Sequence, residues 1–196
     1  MGKRLKKETE KEGLTPEQEF RMDLYYWLQA LVAALIAIVM IFTFLGRVIG
    51  VKGSSMYPTL HHGDMMLVQS LGYSPKQGDV VVLTKESFMS DAIVKRIIAV
   101  GGQTVRIDYN ENKVYVDGAL LEEDYINLED EDPMREMPLD YYSEVTVPEG
   151  SIFVMGDNRN GSTDSRSPNL GLVDERYVIG HVLCVLFPFQ NIGGVG

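Results

Sequence analysis

From Leu24 to Leu45 the chain is apolar except for Gln29, Thr43 and the aromatic Tyr25, Tyr26 and Trp27. A helix needs about 20 such residues to cross a bilayer. A soluble core helix would keep a polar face, and this stretch has none. The segment therefore divides the chain into a short tail (1–23), an anchor (24–45) and one outer domain (46–196). Thr15-Pro16-Glu17-Gln18 reads as the helix entry, with a capping threonine, a proline suited to the first turn and a glutamine completing a capping box. Tyr25, Tyr26 and Trp27 sit where an interfacial aromatic belt falls, and Arg47 and Lys52 mark the far boundary.

Six basic residues precede the span (Lys3, Arg4, Lys6, Lys7, Lys11 and Arg21), while only Arg47 and Lys52 follow closely. That bias predicts a cytoplasmic N-terminus and a translocated outer domain. A cleaved leader would have a shorter apolar region and a small-residue cut site. The exit here, Phe44-Leu45-Gly46-Arg47-Val48, is a poor site, so the anchor is expected to be retained.

The net charge of −10 comes from 18 basic and 28 acidic residues. Residues 1–23 hold six of each, so the remainder carries 12 basic against 22 acidic, the whole excess. Such a surface argues against a nucleic-acid partner, which needs a basic footprint. The single cysteine, Cys184, lies in an apolar run and reads as a buried structural thiol.

Beyond the anchor the pattern is short, β-branched runs punctuated by Gly and Pro, with no further long helix. Strands are expected at Met65–Val68, 80–83, 92–100, 104–107, 113–116, 119–121, 145–147, 152–155 and one or two within 177–187, after a short extended segment at 47–51. Asp117-Gly118 reads as a hairpin turn. The fold class is mostly β: one N-terminal transmembrane helix followed by an all-β domain. The acidic stretch 122–140 reads as a solvated loop.

Two stretches carry chemistry. Gly53-Ser54-Ser55-Met56-Tyr57-Pro58-Thr59-Leu60 presents serine in a turn, and Val94-Lys95-Arg96 presents lysine inside an apolar run. A serine hydroxyl needs a base to act as nucleophile. His61 and His62 lie in a turn and His181 begins an apolar strand, so none reads as a triad histidine, and the set is too sparse for zinc. Lysine serves when its amine is neutral, which desolvation favours. Lys95 shares a strand face with Ile93 and Ile97, with Arg96 on the other face. A third stretch, Gly156-Asp157-Asn158-Arg159 through Asp164-Ser165-Arg166, is too dense in Asx, Ser and Arg for a plain turn; Ser162 could orient Lys95, and Asp164 with Arg166 could hold the loop.

These boxes, with Gly78-Asp79-Val80-Val81-Val82, occur in the order found in bacterial type I signal peptidases, membrane-bound serine–lysine proteases, and the chain resembles that family from residue 24 onward. The single span and short insertion look like the Gram-positive type; endoplasmic-reticulum relatives carry histidine where Lys95 stands. The resemblance implies Ser55 as nucleophile, Lys95 as general base and Ser162 as the lysine-orienting hydroxyl, supported by Asp157, Asp164, Arg166 and Arg96. It implies a variable β region at about 103–150, Met56 and Ile97 lining shallow pockets for small substrate side chains, secretory preproteins as substrates, membrane lipid as surroundings and no cofactor or metal. The Ser55 N–H is one oxyanion donor; Gly53 stands where Gram-negative relatives place a second. A self-cleaving repressor with the same dyad would be soluble and carry a DNA-binding domain, which the anchor and acidic surface oppose. A dedicated processing protease and an anchored, non-enzymatic β domain remain as other readings.

Overall fold

A computed structural model describes residues 15–44, 46–85, 88–126, 133–135 and 144–195. The chain divides into two compact units, Met1–Phe44 and Leu45–Gly196. In the first, a single helix, α1 (Pro16–Phe44), begins eight residues before the apolar run. Its 29 residues span about 43 Å. Pro16–Met40 contains an 18-residue window of mean hydropathy 1.7 and is long and apolar enough to cross a membrane. Glu17 and Glu19 in the first turn complement the helix dipole. The Thr15 N–H donates to Gln18 Oε1 at 2.9 Å, the back-reaching half of the capping box. The other half differs from expectation: the Thr15 hydroxyl turns to the same Gln18 oxygen, at 3.2 Å, rather than to a backbone N–H.

The second unit is all β. Its strands in chain order are β1 (Arg47–Gly50), β2 (Met65–Gln69), β3 (Val80–Lys85), β4 (Met89–Val100), β5 (Thr104–Asp108), β6 (Lys113–Val116), β7 (Ala119–Leu120), β8 (Glu144–Thr146), β9 (Ser151–Met155), β10 (Val173–Asp174), β11 (Val178–Phe187) and β12 (Gly193–Gly194). The larger sheet runs β1-β2-β11-β3-β4-β9-β10, with β12 added beside β11; the smaller runs β7-β6-β5-β8. Every pairing is antiparallel.

The central strands behave as their composition dictates. Val80 through Leu83 are all fully buried, so β3 is covered on both faces. Asp117 and Gly118 take φ of 52° and 79°, the left-handed pair that a two-residue hairpin turn needs between β6 and β7. The two-residue strands β10 and β12 were not foreseen, because two residues carry no periodicity to read. The expected one or two strands within 177–187 are a single strand, β11, from Val178, preceded by a 3-10 turn at Glu175–Tyr177.

Three apolar clusters fill the domain. One holds Met56, Leu60, Val68, Val80, Val82 and Val185 beneath the serine turn. Another joins the two sheets through Ile98, Val105, Val114 and Phe153. The third packs Val81, Leu83, Ile97 and Leu170 on the remaining face of β3 and β4. Of the acidic stretch, residues 127–132 and 136–140 lie outside the described residues. Within the described part Glu122 and Asp124 are exposed, as a solvated loop requires. Glu123 is not: its side chain is 6% exposed and faces Arg159.

Candidate active site

The serine turn connects β1 to β2. Beyond β1 the backbone stays paired, Val51 N–H donating to Asp64 O and Gly63 N–H to Val51 O, which closes the base of the loop. Inside it, Tyr57 N–H donates to Ser54 O and Leu60 N–H to Met56 O, so residues 54–60 coil tightly. Met56 and Leu60 are 1% and 0% exposed and pin that coil to the core. Ser54 is left outside, and the half-buried Ser55 faces β4.

Lys95 lies in the middle of β4, opposite Val81 of β3. It is 3% exposed, and its Nζ sits 2.8 Å from Ser55 Oγ and donates to the Val94 carbonyl at 3.1 Å. Burial is the largest influence on its amine and lowers its pKa to about 8; the carboxylates of Asp164 and Asp157 pull the other way, and the Arg166 guanidinium adds to the lowering. A lysine so placed spends a substantial fraction of its time neutral near pH 8.

The third element is the loop after β9. Arg96 pairs with Asp157 through two hydrogen bonds, Nε to Oδ1 at 2.9 Å and Nη2 to Oδ2 at 2.8 Å, and Thr59 of the serine turn donates to the same carboxylate. Arg96 also donates to the Gly78 carbonyl at 2.8 Å, tying the Gly78-Asp79 box to this network. Asp164 and Arg166 form a second fully buried pair at 2.8 and 2.9 Å, and Asp164 accepts from the Gly156 N–H at 3.0 Å. Burial alone would push the Asp164 carboxyl up; the adjacent guanidinium and these hydrogen bonds outweigh it and hold the group below the ordinary carboxylate range.

Asn158 grips the serine turn directly. Its backbone N–H donates to Ser55 O and its side-chain amide to Ser54 O, both at 3.1 Å. The peptide joining Ser54 to Ser55, whose N–H is the expected oxyanion donor, is thereby held by bonds to the carbonyls of both residues. Ser162 is 5% exposed, and its Oγ has no hydrogen-bond partner among the described residues. The hydroxyl lies against Gly156: a Cβ built on that glycine would stand 2.4 Å from Ser162 Oγ and 2.4 Å from Ser55 O. Lys95, the expected partner of Ser162, makes its close contacts to Ser55 and Val94.

A cleft of about 480 Å³ opens at Ser55 and Lys95 between the 49–56 segment and the first half of β4. Met56, Val82, Ile93 and Val94 give it an apolar floor. Ile97, expected to line a pocket, is fully buried with Val81 and Leu83 and lies outside the cleft. It shares a strand face with Ile93, but it sits four residues further along β4, where that face is covered. No group of His, Cys, Asp and Glu fit to hold a metal ion occurs among the described residues.

The family model for "Signal peptidase, peptidase S26" matches residues 24–187. The chain belongs to this signal peptidase family. It is 35% identical over 176 residues to a probable signal peptidase I-1 of Synechocystis, covering 85% of this chain and 84% of that one. It is 35% identical to a signal peptidase I of Bacillus licheniformis (87% and 92%) and 36% identical to signal peptidase I T of Bacillus subtilis (85% and 86%). A crystal structure of a signal peptidase I from Enterococcus faecalis aligns with 56% of this chain and 97% of its own at 30% identity, with a TM-score of 0.46. The signal peptidases of this family are serine endopeptidases, and so is this chain.

Several members of the site were not legible as such. Thr59, Asn158, Arg159, Glu123 and Tyr125 all contact the network; Thr59 stands in the serine box and Asn158 and Arg159 in the third stretch, but none of the five was expected to have a role of its own. Nothing in the local sequence distinguishes Glu123 from its acidic neighbours.

Proposed function

We propose that this chain cleaves signal peptides from exported preproteins with Ser55 as nucleophile and Lys95 as general base. The observation that carries this reading is the 2.8 Å contact between Ser55 Oγ and a lysine amine that is 3% exposed. Once neutral, Lys95 has one lone pair and two N–H groups. The lone pair takes the Ser55 proton, one N–H donates to Val94 O, and the other is available to the partnerless Ser162 hydroxyl. The Ser55 alkoxide attacks the scissile carbonyl, and the backbone N–H of Ser55 donates to the developing oxyanion, a class of contact worth about 3–4 kcal/mol. Lys95 returns its proton to the leaving amine, then activates the water that releases the acyl-enzyme.

The substrate lies extended in the cleft, as an added strand between the 49–54 segment and β4, with small side chains directed toward Met56, Ile93 and Val94. The outer domain, residues 46–196, works on the far side of the membrane from the tail 1–23, with α1 as anchor. The charge bias across the span supports that orientation.

The test is kcat/KM for preprotein cleavage against pH. With Lys95 at about 8, activity falls about tenfold per pH unit on the acid side and levels off above that value, leaving about 1% of the plateau at pH 6. Ser55→Ala abolishes cleavage and Ser54→Ala retains most of it. A variant with His61, His62 and His181 all changed to Gln keeps the acid limb and appreciable activity. Lys95→Arg keeps the charge but cannot deprotonate, and shows neither. An active Lys95→Arg enzyme ends the serine–lysine reading.

A further inference from the structure

We propose that Glu123 is a positioning residue for the catalytic dyad, and that Tyr125 acts with it. The inference rests on the Ser55–Lys95 reading above. Around the loop 156–166 three guanidinium groups are withdrawn from water: Arg96, Arg159 and Arg166, at 3%, 1% and 0% exposure. Asp157 answers Arg96, and Asp164 answers Arg166. The loop supplies no third carboxylate to Arg159. Glu123 supplies it from the excursion after β7, and Arg159 donates to it through both terminal nitrogens, the first at 3.0 Å.

A fork of this kind is geometrically exacting, and a buried guanidinium that loses its carboxylate cannot recover its hydration. Tyr125 strengthens the arrangement from the same short segment. Its hydroxyl donates to Glu123 Oε1 at 3.1 Å, and its ring lies 3.9 Å from the Arg96 guanidinium, the immediate neighbour of Lys95. One three-residue stretch thus contacts two of the three buried arginines.

From Arg159 the constraint leads to the nucleophile in two steps. Arg159 Nε donates to Gly156 O at 3.2 Å, and Arg166 Nη2 donates to Arg159 O at 2.6 Å, so the guanidinium and its own backbone hold residues 156–159 as a unit. That unit contains Asn158, which grips the carbonyls of Ser54 and Ser55, and Gly156, which lies against Ser55 O. Glu123 does not line the cleft. Its influence therefore reaches the dyad through the loop rather than through bound substrate, and it sets the turnover step rather than the binding step.

The experiment uses the full-length chain in detergent and one preprotein, with kcat and KM measured separately for Glu123→Gln, Arg159→Met, the double variant and Tyr125→Phe. Glu123→Gln lowers kcat tenfold or more while KM stays within twofold. The double variant is less impaired than Glu123→Gln alone, because it removes the stranded guanidinium together with its partner. Tyr125→Phe keeps the ring on Arg96, loses only the hydroxyl to Glu123, and lowers kcat about threefold at unchanged KM; it remains informative if Glu123→Gln does not fold. The proposal is overturned if Glu123→Gln keeps kcat within twofold, if its loss is carried by KM, or if Tyr125→Phe matches the parent enzyme. Ser55→Ala measured alongside separates the two claims: cleavage by that variant refutes the dyad whatever Glu123 does.

Discussion

Gly156→Ala is the smallest change that tests how tightly the loop after β9 is fitted to the proposed nucleophile. The glycine has no left-handed φ, so alanine suits the backbone and any effect comes from the added methyl. That Cβ would lie 2.4 Å from Ser55 O, 2.4 Å from Ser162 Oγ and 2.5 Å from Ser162 Cβ. Ordinary contacts are at least 1 Å longer, so the Ser55 carbonyl and the Ser162 segment must both give way. Neither has room: Ser55 O is held by Asn158, and Ser162 is buried. Overpacking of this sort costs about 1–3 kcal/mol of stability, which lowers Tm by several degrees in a domain of this size. A displacement of about 1 Å at a reacting group costs about 100-fold in rate. The assay pairs preprotein cleavage with thermal melting at a temperature where both proteins are folded. Gly193→Ala is the control, since a Cβ there meets nothing within 4 Å. If folded Gly156→Ala cleaves within about threefold of the parent while Gly193→Ala behaves normally, the close fit between this loop and the serine turn is not what holds the geometry.

Protease added outside intact spheroplasts digests residues 50–196, and its failure to do so, with digestion from the cytoplasmic side alone, refutes the proposed orientation. Phe153→Ala empties a fully buried site between the two sheets and destabilises the outer domain by about 3–5 kcal/mol in denaturant titrations, whereas a loss below about 1 kcal/mol would show that the two sheets do not depend on that contact.

The parts of the fold that could be read in advance are those where one local signal decides. The unbroken apolar run gave the helix, although its start at Pro16 was set by the cap rather than by hydropathy. The β-branched runs gave β3 and β4, and Asp117-Gly118 gave its turn because few residue pairs accept two left-handed conformations. The proposed dyad came from the order of the boxes and the family they resemble: Lys95 alone reads as well as a strand lysine whose head reaches solvent, and only the resemblance prefers Ser55 to Ser54. What escaped were pairings across long sequence distance. Ile97 carries the same alternation as Ile93, and only the packing of Leu170 and Val81 over it decides that it is core. Glu123 sits between two solvated acids, and its partner is 36 residues away. A charge pattern records composition along the chain and says nothing of which carboxylate meets a buried arginine.

The strand order has a consequence for timing. Ser55 hangs from the β1–β2 hairpin and Lys95 from the β3–β4 hairpin, and these two hairpins do not pair with each other. β11 lies between them, bonded to β2 on one side and to β3 on the other. Residues 178–187 thus join the two hairpins that carry the proposed nucleophile and base. Asn158 adds its grip on Ser55 only after more than 100 further residues have emerged. On the Ser55–Lys95 reading, a nascent chain carries both side chains long before it carries the strand that joins them. On that reading, cleavage waits until residues 178–187 have been made.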